Sequence, residues 1–243
     1  QDIGGWDVSN VTNMSNMFPF AYKFNNDIGG WVVSKVLDMS YMFNYASVFD
    51  KYIGAWDVSA VTDMSGMFIN AIKFNQDISN WNVSAVKDMS GMFQGASFNN
   101  EIGNWNVSNV LDMSSMFSSS SFDKDISNWD VGSVTSFFNM FSYNTEFNQN
   151  IGNWNVSSAI NMTKMFSMSS FNQDIGRWNV SSVTEMYAMF WGASDFNQFI
   201  GKWNVSNVLN MHWMFNEATS FNQDLTEWCV TNVNINFGLG KTE

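Results

Sequence analysis

Apolar and polar positions along this chain follow one scheme that begins again every 24 or 25 residues. Its clearest marker is tryptophan, at Trp6, Trp31, Trp56, Trp81, Trp105, Trp129, Trp154, Trp178, Trp203 and Trp228. In a representative unit the apolar positions are Ile78, Trp81, Val83, Val86, Met89, Met92, Phe93, Ala96 and Phe98. From Trp81 to Ser84 apolar and polar residues alternate, the period-2 pattern of a short half-buried strand with Trp81 and Val83 inward and Asn82 and Ser84 outward. From Met89 the spacing changes to three, four and seven residues (Met89, Met92, Phe93, Ala96), which predicts one or two turns of helix. Asp88 precedes that stripe, and its column continues as Asn13, Asp38, Asp63, Asp112, Asn161 and Glu185, residue types that cap or offset the positive end of a helix.

A period of this length is the signature of a solenoid, in which one turn of backbone cannot bury its apolar face until neighbours stack on it. The expected fold is an α/β solenoid forming a single repeat domain over residues 1–243, with about ten repeats. Short parallel strands would line its concave face and short helical or 3₁₀ segments its convex face, because the wider helical side splays the stack. Residues 229–243 depart from the pattern and read as an atypical C-terminal end, while the N-terminal coil reads as uncapped.

The columns also name the core. Phenylalanine stands at Phe93 and at its equivalents Phe18, Phe43, Phe68, Phe117, Phe141, Phe166, Phe190 and Phe215, and again near Phe98 in most units, so two aromatic spines are expected inside. Every methionine except Met168 falls in the columns of Met89 and Met92. Beside phenylalanine at this spacing they read as core filler and not as a binding groove or a thioether metal ladder. Ala21, Ala46, Ala71, Ala96, Ala193 and Ala218 mark close backbone packing.

Charge narrows the partners. The formal net charge of −12 argues against phosphate backbones, so no nucleic-acid partner is expected. No apolar run is long enough to span a bilayer. The single cysteine, Cys229, excludes an internal disulfide.

Catalytic chemistry is thin. His212 is the one histidine, so no histidine metal cluster and no Ser-His or Cys-His pair can be assembled elsewhere. Carboxylates recur as columns, whereas an acid–base pair needs two unlike environments at one place. The chain therefore reads as a non-enzyme, without cofactor and without bound metal. Oxygen ligands on alternate residues of the return loop (Asn75 and Asp77, Asn99 and Glu101, Asn172 and Asp174) admit two readings, a calcium site between coils or an amide ladder that satisfies loop backbone.

A polar lattice is expected on the strand face, from Asp7, Asp57, Asn82, Asn106, Asp130, Asn155, Asn179 and Asn204 with their serine neighbours. It is either a recognition surface or the soluble side of the sheet. The residue before tryptophan runs from Gly5 through Asn153 to Arg177, Lys202 and Glu227, so charge gathers toward the C-terminal coils. The candidate ligand face is accordingly Asn155, Arg177, Asn179, Lys202, Asn204 and Glu227. Sequons occur at Asn10, Asn13, Asn82, Asn106, Asn155, Asn161, Asn179 and Asn204. They are N-glycosylation acceptors in a secreted eukaryotic protein, or only a consequence of the repeated Asn-Val-Ser.

The string Trp-(Asp/Asn)-Val-Ser-x-Val-Thr-x-Met-Ser-x-Met-Phe-x-x-Ala-x-x-Phe-Asn-Gln-Asp-Ile, nearly complete around Trp56 to Ile78 and Trp81 to Ile102, resembles the BspA-like surface-protein repeat. That repeat is abundant in lipoproteins of wall-less bacteria and in other microbial surface proteins, and also occurs in some protists. The resemblance implies a leucine-rich-repeat-like right-handed coil, an extracellular or cell-surface location, and adhesion to a protein or glycan surface. Departures stand at Val32, Gly132, Phe137, Phe138 and Phe199. The alternative function is structural, a solenoid segment or filament subunit that self-associates end to end.

Overall fold

The computed structural model describes residues 2–233. Each coil is tied to the next by backbone hydrogen bonds between residues about one repeat apart. A parallel ladder one residue wide runs through Asn13, Asp38, Asp63, Asp88, Asp112, Ser136, Asn161, Glu185 and Asn210. At one of its rungs Leu111 N–H donates to the Lys87 carbonyl at 2.8 Å and Met89 N–H to the Asp112 carbonyl at 3.0 Å.

The ladder therefore sits at the Asp88 column and not at Trp81–Val83, where a strand was expected. The alternation there is real, since Trp81 and Val83 are buried and Asn82 is exposed. Its cause is a pair of tight turns. Asn82 Oδ1 accepts from Ser84 N–H at 3.2 Å and from Ser84 Oγ–H at 2.7 Å, and Val86 N–H closes back on the Val83 carbonyl at 2.9 Å. Backbone groups spent inside the coil cannot pair with the next coil.

The second expected element is also replaced, because no helix forms at Met89–Ala96 or elsewhere among the described residues. Two residues per coil, four apart, have positive φ: 63° at Gly91 and 65° at Gly95, 55° at Tyr41 and 57° at Tyr45, 57° at Ser115 and 55° at Ser119. A right-handed helix requires negative φ throughout. Instead three overlapping turns follow one another, with Met92 N–H bonded to Met89 O at 3.2 Å, Gln94 N–H to Gly91 O at 3.0 Å and Ala96 N–H to Phe93 O at 3.1 Å. Such turns return a side chain to the same side every third or fourth residue, which is the spacing that suggested helix. Alternate N–H groups are thereby freed to point along the stack. Met89, Gly91, Phe93 and Gly95 donate to the carbonyls of Asp112, Ser114, Met116 and Ser118 at 3.0, 2.7, 3.0 and 2.9 Å. Left-handed backbone costs a residue with a Cβ roughly 1–2 kcal/mol, and these intercoil bonds offset it. The Asp88 column caps the first turn, as Ser90 N–H donates to Asp88 Oδ1 at 2.8 Å.

The interior is a stack of rings. Successive tryptophans lie parallel, Trp31 and Trp56 with centroids 6.5 Å apart and planes 1° apart. In this column each indole Nε1–H from Trp31 to Trp228 reaches back to the preceding coil, Trp105 to the Ile78 carbonyl at 3.2 Å, which satisfies the indole donor. Phe93 and Phe98 stack within a coil at 4.2 Å, and Phe93 meets Phe117 of the next coil at 5.9 Å. Met89 and Met92 are fully buried between these spines, as the core reading of methionine requires. Where the alanine column fails, Ser120, Asn144 and Ser169 are buried and bonded, Ser120 and Ser169 hydroxyls to the carbonyls of Phe117 and Phe166. Residues 229–233 of the expected atypical C-terminal end are described, and the rest of that segment lies outside the described residues.

Candidate recognition surfaces

Two surfaces emerge from this backbone, one fixed by side-chain bonds and one left open by backbone bonds. The first is the Asn–Ser edge. Asn155, Asn179 and Asn204 are exposed, and in each the Oδ1 already accepts both the N–H and the hydroxyl of the serine two residues on, at 3.2 and 2.7 Å. Asp7 and Asp57 make the same closure, and the Ser9 and Ser59 hydroxyls, then their N–H groups, hold both carboxyls below the usual carboxylate range. What remains to a ligand is mainly the outward amide Nδ2.

Of the charged residues on this edge, Arg177 and Lys202 come together and Glu227 does not join them. They line one cleft of about 300 Å³ with Asp174, Gly176, Gln198 and Phe199, and Arg177 also lines a neighbouring one of about 180 Å³ with Asn150, Gly152, Asn153 and Asp174. Asn155, Asn179 and Asn204 line neither. The sequon asparagines Asn10, Asn13, Asn82 and Asn106 are exposed like Asn155, Asn179 and Asn204, while Asn161 is half-buried in the ladder.

The return loop is an amide ladder. Asn75 N–H donates to Asp50 Oδ1 at 3.2 Å, Asn99 N–H to Asn75 Oδ1 at 2.9 Å and Asp123 N–H to Asn99 Oδ1 at 2.9 Å. Glutamine reinforces it, Gln76 Nε2 donating to Asp50 Oδ1 at 2.7 Å. Of the oxygens in the calcium reading, Asn75 and Asn99 Oδ1 thus accept loop N–H groups, while Glu101 pairs with Lys124 at 3.4 Å.

The second surface is the face of the left-handed turns, which reading by conserved columns missed. The first positive-φ column runs Asn16, Tyr41, Gly66, Gly91, Ser115, Asn139, Lys164, Ala188 and Trp213, and the second runs Phe20, Tyr45, Asn70, Gly95, Ser119, Tyr143, Met168, Gly192 and Glu217. No residue type dominates: asparagine and glycine each occur twice in the first column, tyrosine and glycine each twice in the second, and every other position differs. Phe20, Tyr41, Tyr45, Tyr143 and Trp213 are exposed, and Phe20 stacks on Tyr45 at 5.2 Å. The Tyr41 ring lies over Gly66, where any side chain on that glycine would stand. A groove of about 260 Å³ runs from Tyr41 and Ile69 across Ser90, Gly91, Gln94, Ser114 and Ser115 to Phe138. Farther along the face Tyr187, Trp191, His212 and Trp213 cluster, with His212 and Trp213 at 4.7 Å and Lys164 Nζ 5.7 Å from the Tyr187 centroid. The signal in the sequence was the absence of a consensus at these positions.

Known proteins add one finding. The family described as Mycoplasma protein of unknown function, DUF285, matches residues 1–100, 77–170 and 165–238. No curated protein and no solved structure matches the chain.

Proposed function

Because the chain belongs to the DUF285 family and carries its pattern along nearly its whole length, we propose that it is a non-catalytic, extracellular or cell-surface recognition module, a BspA-like solenoid that binds glycan through the face of its left-handed turns. The observation that carries this reading is the groove between Tyr41 and Phe138. Its two exposed rings offer flat apolar surfaces to the C–H faces of sugar rings, and Ser90, Gln94, Ser114 and Ser115 between them offer hydroxyl and amide groups to sugar hydroxyls. Gly91 keeps the floor low. Each hydrogen bond to sugar replaces one to water and is weak by itself. An array that presents several such groups suits a repetitive polymer, where linked contacts raise affinity without any strong single one.

The test is binding to an array of neutral glycans by the wild-type chain and by Tyr41→Ala with Phe138→Ser. The reading expects selective binding that falls at least tenfold in the folded double variant. Equal binding by both removes the groove from the function.

A second reading, structural, is favoured by the direction of the intercoil bonds. In the turn segment N–H groups point forward and carbonyls backward in every coil, so opposite coil faces are complementary and a heterologous, open-ended contact has a template. End-to-end association would use the same bonds that join one coil to the next. Sedimentation over a hundredfold range of concentration decides it: growth in mass supports a filament, and a constant monomer mass opposes one.

A further inference from the structure

The cleft around Phe199 has a chemistry of its own. In most coils the corresponding position is an acid or an amide whose oxygen accepts the N–H two residues on, as Asp174 Oδ1 does from Gly176 at 2.9 Å and Asp224 Oδ1 from Thr226 at 2.9 Å. At Phe199 the acceptor is gone, the Gly201 N–H has no partner among the described residues, and the exposed ring lies against Gly201, 2.8 Å from where a Cβ would stand. The interruption of the acid column coincides with the two cations. Arg177 and Lys202 occupy the position before tryptophan in successive coils and line the same cleft of about 300 Å³. Neither forms an ion pair among the described residues, where Lys124 and Glu101 pair at 3.4 Å. Two exposed cations without acid partners, beside a residue that removes an acid, make a local positive site on a chain of net charge −12.

We propose that this cleft binds a carboxylated sugar, a uronate-type unit of an acidic polysaccharide. Arg177 offers a planar donor fork that matches a carboxylate in two-point contact, and Lys202 adds a compact charge beside it. The Phe199 ring takes the apolar face of the sugar. Gln198 lines the cleft with its Nε2 committed to the carbonyl and Oδ1 of Asn172 at 3.0 and 2.9 Å, which leaves its Oε1 as the acceptor for a sugar hydroxyl. Asp174 Oδ2 is a second such acceptor, and it opposes an unoriented anion, which selects a ligand with hydroxyls opposite its carboxylate. The cleft shares no residue with the Tyr41–Phe138 groove, so the assignment stands or falls separately from the glycan reading of that groove.

The experiment measures binding of the wild-type chain to alginate oligosaccharides, neutral mannan oligosaccharides and dextran sulfate of matched length, at low and physiological salt. The key variant is Phe199→Asp, which restores the residue type of most other coils and returns an acceptor to Gly201 N–H, so folding is preserved. Arg177→Asn, the residue of the coil before it, is the second variant. Expected are alginate binding at least tenfold tighter than mannan and weakened by salt, loss of tenfold or more in each variant, and no loss in Tyr41→Ala with Phe138→Ser. Equal affinity for alginate and mannan, unchanged alginate binding in Phe199→Asp, or dextran sulfate binding as tight as alginate would each overturn the proposal, the last by showing a generic polyanion site.

Discussion

The Asn–Ser edge and the left-handed-turn face arise from the same 24- or 25-residue unit, yet one keeps Asp or Asn in every coil but those of Val32 and Cys229, and the other has no dominant residue type. The difference lies in which atoms hold the backbone. At the edge a side chain closes the turn, Asn106 Oδ1 accepting from Ser108 N–H and hydroxyl at 3.2 and 2.7 Å, so the residue type is fixed by its bond. On the turn face the backbone holds itself, with Ser115 N–H bonded to the Phe138 carbonyl of the next coil at 2.7 Å, and the side chain is released from structural duty. Variation there is cheap, and a repeat protein can place its specificity where variation is cheap.

The comparison presupposes a common interior, and its severest test is there. Phe93 is fully buried between Phe68, Phe98 and Phe117. Phe93→Ala should cost about 3–5 kcal/mol through lost burial and a residual cavity, read as a fall in the denaturation midpoint. No change would put that ring outside the core and undo the assignment of both faces. Next in size is Trp105→Phe, which removes the indole donor to the buried Ile78 carbonyl, leaves it only the Trp81 N–H at 3.1 Å, and takes ring volume out of the core. A cost of about 1–3 kcal/mol is expected, and a neutral result would show that the bond beneath the edge is unimportant.

The comparison itself predicts a difference in sign. Asn106→Ala removes two bonds at the edge and should destabilise by about 0.5–1.5 kcal/mol. Ser115→Gly removes nothing and relieves a positive φ, so it should be neutral or stabilising by up to about 1 kcal/mol. Equal losses in the two variants would erase the distinction. The smallest effect is on pH dependence. The Asp7, Asp57 and Asp77 carboxyls are lowered first by the hydroxyl and then by the N–H of the serine two residues on. A lowered folded-state pKa contributes stability that is present above the unfolded value, near 3.9, and lost as pH falls through the folded one. Asp57→Asn should therefore slightly flatten the acid limb of the stability profile, and these groups are exposed, so a steepened limb would contradict the bonding.

The interior was legible because burial repeats: Trp81, Val83, Met89, Met92 and Phe93 point inward as their columns say. The elements were not. A spacing of three and four residues describes a helix and a train of left-handed turns equally well, and the pairs Gly66 with Asn70 and Gly91 with Gly95 are the clearest hints of the second. Alternation at Trp81–Ser84 likewise describes a strand or a turn closed by Asn82. Of the candidate ligand face, the chain order before tryptophan brought out Arg177 and Lys202, and the structure joins them with Phe199, which stood out only as a departure. The groove between Tyr41 and Phe138 could not be read, since its members come from different columns and meet only when coils stack.

The central claim is that neutral glycan meets the turn face and not the Asn–Ser edge. One labelling measurement addresses it directly. In a Cys229→Ser background, a single cysteine is placed at Ser115 on the turn face or at Ser108 on the edge, each is coupled to a bulky maleimide, and binding to the neutral glycan selected on the array is compared with that of the unlabelled protein. The account predicts at least a tenfold loss for the label at Ser115 and little change for the label at Ser108. Loss at Ser108 with full binding at Ser115 would place recognition on the edge and contradict it.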